Sequence, residues 1–227
     1  MIQSLIEPVS TYAGEVDFLF LLITVIVMPW FFLAEGMFFW LMWRFRYQED
    51  QPAMYVTGNE PELKRWITVP HAMIIVLDLV LIAGAIRVWY MIKQDLPEPH
   101  ETVRVIAQQW AWGFVHPGPD GLLDTEDDIE IADELHVQVG EVYHYQLESR
   151  DVLHNFSVPV FRLKQDALPG RRITGWFEAT KTGVHDIQCA EMCGIGHGIM
   201  AARLFIHTPE EYQAWVDSHA PQQASAR

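Results

Sequence analysis

The chain of 227 residues carries 30 Asp and Glu against 15 Lys and Arg, a formal charge of −15 that sets it against the phosphate backbone of a nucleic acid. Half of its residues are hydrophobic and 20% are charged, with nine Trp, twelve Phe and seven Tyr, which excludes disorder and low complexity. Only two cysteines are present, Cys189 and Cys193, so a disulfide scaffold is excluded and any cysteine chemistry is local.

In chain order, residues 16–43 form an apolar run whose only ionisable members are Asp17 and Glu35, longer than the roughly 20 residues that cross a bilayer. Residues 67–91 form a second run, carrying Asp78 and, near its far end, Arg87, placed to snorkel to the interface. Both read as membrane-spanning helices. Residues 1–15 hold no Lys or Arg, and the first run is too long for a signal peptide, so the expectation is a retained span. The loop between the runs holds Arg44, Arg46, Lys64 and Arg65, which places it inside and sends both termini outward. Glu35 and Asp78 are expected to face protein, because an ionised carboxylate facing lipid is costly.

After the proline-interrupted linker at 95–100, short alternating stretches begin: TVRVIAQQW, ELHVQV, VYHYQLES, HNFSVPV, ITGWFEA, GVHDIQC and MAARLFI. Seven short strands predict an all-β sandwich or barrel. The segment from Thr208 onward has a capping residue, Pro209 at the first helical position and Glu211 three after the cap, predicting a short terminal helix. The expected organisation is a membrane anchor over 1–94, an extracytoplasmic β domain over 95–220 and a frayed tail over 221–227. Between QWAW and the next strand lies an acidic insertion with Asp120, Asp124, Glu126, Asp127, Asp128, Glu130, Asp133 and Glu134. It reads as a solvated loop, with two alternatives: a calcium loop using Asp120, Asp124, Asp127 and Asp128, or a docking surface for a basic partner.

The chemistry lies in CAEMCGIGHGIM, residues 189–200, where Cys189, Cys193, His197 and Met200 fall within twelve residues. Thiolate, imidazole and thioether together select copper over magnesium, calcium or a simple structural zinc. His154, on a predicted strand, is available to complete the set. One cysteine, two histidines and a methionine make a mononuclear blue-copper site; a second thiolate lets two coppers be bridged, each with one histidine. A disulfide between the cysteines is the weaker alternative.

The pattern formed by His154, Cys189, Glu191, Cys193, His197 and Met200 resembles the CuA site of subunit II of the haem-copper cytochrome c oxidases. Residues 151–159 (DVLHNFSVP), 163–171 (LKQDALPGR) and 109–112 (QWAW) resemble blocks of the same family. The resemblance implies two antiparallel transmembrane helices followed by a cupredoxin-like Greek-key domain. It implies that His154 and His197 each ligate one copper, that Cys189 and Cys193 bridge both, that Met200 is a weak ligand and that Glu191 binds through its backbone carbonyl. Its side chain is implied to reach a magnesium or manganese ion at the border with subunit I. Trp110 matches the aromatic through which electrons arrive from cytochrome c, or from a cytochrome c subunit of a supercomplex, and Asp151 matches an acidic docking residue. The implied work is passage of electrons to haem in subunit I, where oxygen is reduced to water with proton translocation, in a bacterial-type inner membrane. Leu63 stands where the family places an acid three residues before Trp66, with Glu62 one position off, so no proton-path role is assigned to Glu62. A membrane-tethered copper carrier or chaperone and a metal-free quinol-oxidase-type subunit are the alternatives. The first would leave its site open, and the second would lack the ligands.

Overall fold

The computed structural model describes residues 6–52 and 55–219, so the expected tail at 221–227 lies outside the described residues. Of these, 6–17 and 90–219 form one compact unit and 18–89 the other.

The second unit holds the apolar helices. Helix α1 spans Ala13–Arg44 and α2 spans Pro61–Trp89, each long and apolar enough to cross a bilayer. Helix α2 starts six residues earlier than the apolar run. Pro61 occupies the first turn, the Glu60 carbonyl accepts from the Leu63 and Lys64 N–H groups, and the Glu60 carboxylate folds back to accept from the Thr57 and Gly58 N–H groups, ordering the turn that leads into the helix. Glu35 and Asp78 are exposed on these helices, as are most of their large apolar side chains.

The first unit is a sandwich of two five-stranded sheets. Strands β1 (Glu101–Gln108), β2 (Ala111–His116), β3 (Ile129–Ala132), β5 (Val142–Ser149) and β8 (Ile173–Glu178) build one sheet, in the order β3-β2-β1-β5-β8. Strands β4 (Glu134–Gln138), β6 (His154–Val158), β7 (Leu163–Ala167), β9 (Gly183–Cys189) and β10 (Ala201–His207) build the other, in the order β4-β10-β9-β6-β7. The chain crosses between sheets at Asp133, whose φ is +59°. There the Asp133 carboxylate accepts from the Trp112 N–H and its carbonyl accepts from the Arg203 N–H. The inward residues of both sheets, among them Val103, Val105, Leu135, Val137, Tyr145, Leu147, Phe156, Ile187 and Leu204, form one continuous core.

All seven predicted strands form, with ends shifted by at most two residues, and they build the expected all-β sandwich. Three strands escaped prediction. Strand β3 is four residues long and sits inside the acidic insertion, β2 buries its last three residues consecutively without alternation, and β7 (LKQDA) is largely polar. The terminal helix α3 spans Pro209–His219 with the predicted capping box: the Glu211 N–H donates to Thr208 Oγ1 and the Thr208 N–H to Glu211 Oε2. It covers the outer face of β4 and β10, where the His136 ring stacks on Trp215 (4.3 Å between centroids) and on Phe205 (4.6 Å).

One expected boundary shifts. Residues 6–17, placed by sequence in the membrane anchor, belong with the β domain: the Val9 N–H donates to Val160 O, the Thr180 N–H to Val9 O, and Tyr12 is buried. Asp17 pairs with Arg162 (Nε to Oδ1, 2.8 Å; Nη2 to Oδ2, 3.1 Å), with side chains only 4% and 8% exposed. A bidentate pair out of water holds the start of α1 to the domain, so Asp17 is a structural ion-pair member.

Candidate metal centre

Strands β6 and β9 run antiparallel, with Phe156 opposite Cys189 and the Ala190 N–H donating to Asn155 O. His154, two residues before Phe156, projects from the same face of β6 at the point where β9 gives way to the loop 190–200. That loop is closed at its base by the Cys189 N–H donating to Met200 O, and it is tightened by a short 3-10 turn at His197–Ile199.

The pairing and the turn bring the sulfur and nitrogen donors together. Cys189 Sγ and Cys193 Sγ lie 3.7 Å apart, well beyond the roughly 2.05 Å of a disulfide. His154 Nδ1 lies 4.0 Å from Cys189 Sγ, and His197 Nδ1 lies 3.7 Å from Cys193 Sγ. Met200 Sδ lies 3.7 Å from Cys193 Sγ, and the Glu191 carbonyl oxygen 3.2 Å from Cys189 Sγ. Among the described residues, His154, Cys189 and Cys193 form the group whose ligand atoms converge closely enough to hold a metal ion. Cys189, Cys193, His154 and Met200 are buried, and His197 is half-buried.

The donors fit a soft metal. Burial first, and then the neighbouring Cys189, push the Cys193 thiol above the ordinary cysteine range. Two adjacent buried sulfurs become thiolates readily only beside positive charge, which a metal ion supplies. Thiolate, imidazole and thioether are the donor types that favour copper.

Two sequence-assigned residues take up specific positions around this set. Trp110 is 36% exposed and its indole Nε1 donates to the Cys193 carbonyl at 3.3 Å. The ring lies on Gly196, where an added Cβ would fall 2.4 Å from Trp110 Cδ2, so only glycine admits this contact. Asp151 is exposed at the surface, and its carboxylate also reaches the site. Its Oδ1 lies 2.8 Å from His154 Nε2 and accepts from the Val152 N–H at 2.6 Å; its Oδ2 accepts from the Gln109 N–H at 2.7 Å. Desolvation opposes the carboxylate charge, but the bonds from His154, Gln109 and Val152 outweigh it and hold the Asp151 pKa below the usual aspartate value. A carboxylate on Nε2 leaves Nδ1 as the free ligand atom, aimed at the cysteines.

The acidic insertion is organised otherwise. Asp124 makes a bidentate pair with Arg104 (2.9 and 2.8 Å), which occupies the carboxylate a calcium loop would need. Asp120 accepts from the Leu122 N–H, Asp127 from the Asp120 N–H and Thr125, and Asp128 from the Asp124 N–H and Thr125. Asp120, Asp127 and Asp128 thus serve the turn's own donors, and Asp124 serves Arg104 on β1.

Two functional contacts were not singled out in the sequence. Gln109, beside Trp110, donates its side-chain Nε2 to Cys193 O at 2.8 Å, and Gly196 receives the indole. The glycine-rich spacing CGIGHG was the available signal for the second, because glycines mark close backbone approach.

A β-sandwich with a sulfur and imidazole cluster at one end, carried on two membrane-spanning-type helices, defines a membrane-anchored protein with a soft-metal site in its outer domain. Residues 119–205 match the family model described as cytochrome c oxidase subunit II, periplasmic domain. Over 92% of its length the chain is 30% identical to the alternative cytochrome c oxidase subunit 2 of Bradyrhizobium diazoefficiens, covering 82% of that protein. It is 30% identical to the cytochrome c oxidase subunit 2 of Synechocystis over 93% of its length, covering 74% of that protein. The solved periplasmic domain of cytochrome oxidase subunit II from Bradyrhizobium japonicum is similar at 29% identity, covering 55% of this chain and 96% of that one, with a TM-score of 0.49. The chain belongs to the subunit II family of the haem-copper cytochrome c oxidases, and so to an oxidoreductase complex of the membrane.

Proposed function

We propose that this chain is the electron-receiving subunit of a cytochrome c oxidase, holding a binuclear CuA centre in its outer domain. The observation that carries this reading is the symmetry of the donors: two cysteine sulfurs 3.7 Å apart, each beside its own imidazole Nδ1 at 4.0 and 3.7 Å. In this reading the thiolates of Cys189 and Cys193, the imidazoles of His154 and His197, the Met200 thioether and the Glu191 carbonyl would hold the two ions. When bound, such a centre supplies one-electron chemistry at a delocalised copper pair.

The protein's own residues hold the donors and guide the electron's path. Asp151 fixes the His154 ring, Gly194 and Gly196 let the loop close, and Trp110 offers a partly exposed ring hydrogen-bonded to the Cys193 carbonyl. Met192, Ile195 and Ile199 are exposed on the same loop, apolar side chains suited to a transient partner. The net charge of −15 steers a positively charged cytochrome c toward this surface, with an association rate that falls as salt rises. Electrons would pass inward to haem in subunit I, the site of oxygen reduction and proton translocation. Glu191 is half-buried, and its carboxylate is assigned to a magnesium or manganese ion at that border. Subunit I and lipid cover the exposed apolar helices, with the 45–60 loop on the inner side and the β domain outside.

The test is an electron paramagnetic resonance spectrum of the copper-loaded chain in detergent, with a copper-to-protein ratio. Hyperfine structure shared over two coppers, at two metals per chain, is the expected result. A single-copper signal at one metal per chain would refute the binuclear assignment and favour a copper carrier.

A further inference from the structure

The donors of the site come from two separate stretches, His154 on β6 and residues 189–200 after β9, and Gln109, in the turn between β1 and β2, reaches toward both. Its backbone N–H donates to Asp151 Oδ2 at 2.7 Å, while Oδ1 of the same carboxylate holds His154 Nε2 at 2.8 Å. Its side-chain Nε2 donates to the Cys193 carbonyl at 2.8 Å. Cys193 is the hub of the sulfur side, with Cys189 Sγ, His197 Nδ1 and Met200 Sδ each 3.7 Å from its own sulfur. The loop is drawn close to the amide: Gly194 has φ +124°, and a Cβ on it would fall 2.9 Å from Gln109 Nε2.

We propose that Gln109 is a positioning residue for the metal centre, a strap that ties the His154 side to the Cys193 side and keeps the donors at their spacing. The proposal rests on the reading of the site as a copper centre. With the side-chain donor gone, Cys193 O keeps the longer bond from Trp110 Nε1 at 3.3 Å. The segment 193–197 carries glycines at 194 and 196, so it gains backbone freedom that metal binding must then remove. Groups that orient ligands from outside the coordination sphere change metal affinity by about 10- to 100-fold when removed.

Two variants of the full chain, purified in detergent with thiols reduced, test this. Gln109→Met keeps the length and the backbone N–H to Asp151 but loses the side-chain donor; Gln109→Glu keeps the shape and sets an acceptor against the Cys193 carbonyl. Three quantities are read: copper release to excess chelator, the paramagnetic resonance spectrum of the loaded chain, and the thermal midpoint of the metal-free chain by circular dichroism. The expected result is copper release faster by about 10- to 100-fold for Met and faster still for Glu, with altered copper hyperfine splitting and a metal-free midpoint close to wild type. Wild-type release and spectrum in both variants would overturn the strap. So would faster release that follows a matching loss of metal-free stability with an unaltered spectrum, since that is a purely structural role. A wild-type chain that takes up no copper overturns the underlying copper reading, a failure distinct from the other two.

Discussion

Asp151 offers a direct contest between two roles, docking of a partner and orientation of a ligand, and replacing it with Asn or Ala separates them. His154 is wholly buried, and its Nε2 has the Asp151 carboxylate as its partner at 2.8 Å. In the metal-free variant the imidazole can place its single proton on either nitrogen. Once Nδ1 is given to a metal, the proton must sit on Nε2, and in the Ala variant nothing accepts it. An unsatisfied buried donor costs about 1–3 kcal/mol, and that cost falls on the loaded state, so affinity drops by about 5- to 150-fold. Asn keeps one oxygen for His154 but turns an amide donor toward the Gln109 N–H, so its loss should lie near the low end and that of Ala near the high end. The assay is competition for copper between the full-length chain in detergent and a chelator, with no cytochrome present, repeated at low and high salt. Unchanged copper affinity in both variants, combined with an altered salt dependence of reduction by cytochrome c, would refute the orienting role and restore the docking one.

Three further outcomes follow from contacts elsewhere in the β domain. Asp17→Asn leaves the buried Arg162 guanidinium uncompensated and should cost about 3–5 kcal/mol, read by denaturant unfolding; a loss below about 1 kcal/mol would show the pair to be dispensable. Gly196→Ala places a Cβ 2.4 Å from the Trp110 ring, so the indole must move off the loop at a cost of about 1–3 kcal/mol. A shifted Trp fluorescence maximum and slower oxidation of cytochrome c should follow, and wild-type values in both would count against the contact. His116 is wholly buried; desolvation first, and then His136, lower its pKa to about 3, and desolvation likewise lowers that of His136. Both stay neutral in the fold while the unfolded chain takes up protons below about pH 6.5, so this stability is complete above that pH and falls as pH drops toward 3. His116 alone contributes about 1.4 kcal/mol per pH unit across the window. Substituting His116 with Gln should flatten the slope of stability against pH, and an unaltered slope would refute the assignment.

What could be read from the chain depended on whether a feature was local in sequence. The two apolar runs, the seven alternating strands and the capping box at Thr208 and Glu211 are local patterns, and each appears where it was expected. The donor set was legible for the same reason, since four of its side chains fall within residues 189–200. Strand β3 was hidden because acidic turn residues surround its four positions. The attachment of residues 6–17 to the β domain was hidden because it is made of long-range backbone bonds to Val160, Glu178 and Thr180, which leave no periodicity behind. The contact of Asp151 with His154 was hidden because an acidic residue in a surface turn looks the same in sequence whether its carboxylate only faces solvent or also accepts from neighbouring N–H groups.

The separation between scaffold and loop accounts for how this domain can hold a pair of thiols ready for metal. Strands β6 and β9 fix His154 and Cys189 through a sheet register set by the core, in which Phe156 lies opposite Cys189 and packs on Trp112 at 5.5 Å. The remaining donors sit on a glycine-rich loop with no such register, and its geometry depends on the Cys189–Met200 backbone bond, the 3-10 turn and the Gln109 and Trp110 bonds to Cys193. The ordering cost of His154 and Cys189 is therefore met when the sandwich folds, whereas that of the loop donors rests on these few bonds. The same reasoning places its vulnerability in the loop and its bonds to the 109–110 turn: substitutions in the sheets should lower stability, whereas substitutions along that strap should alter the metal centre while the sandwich stays folded.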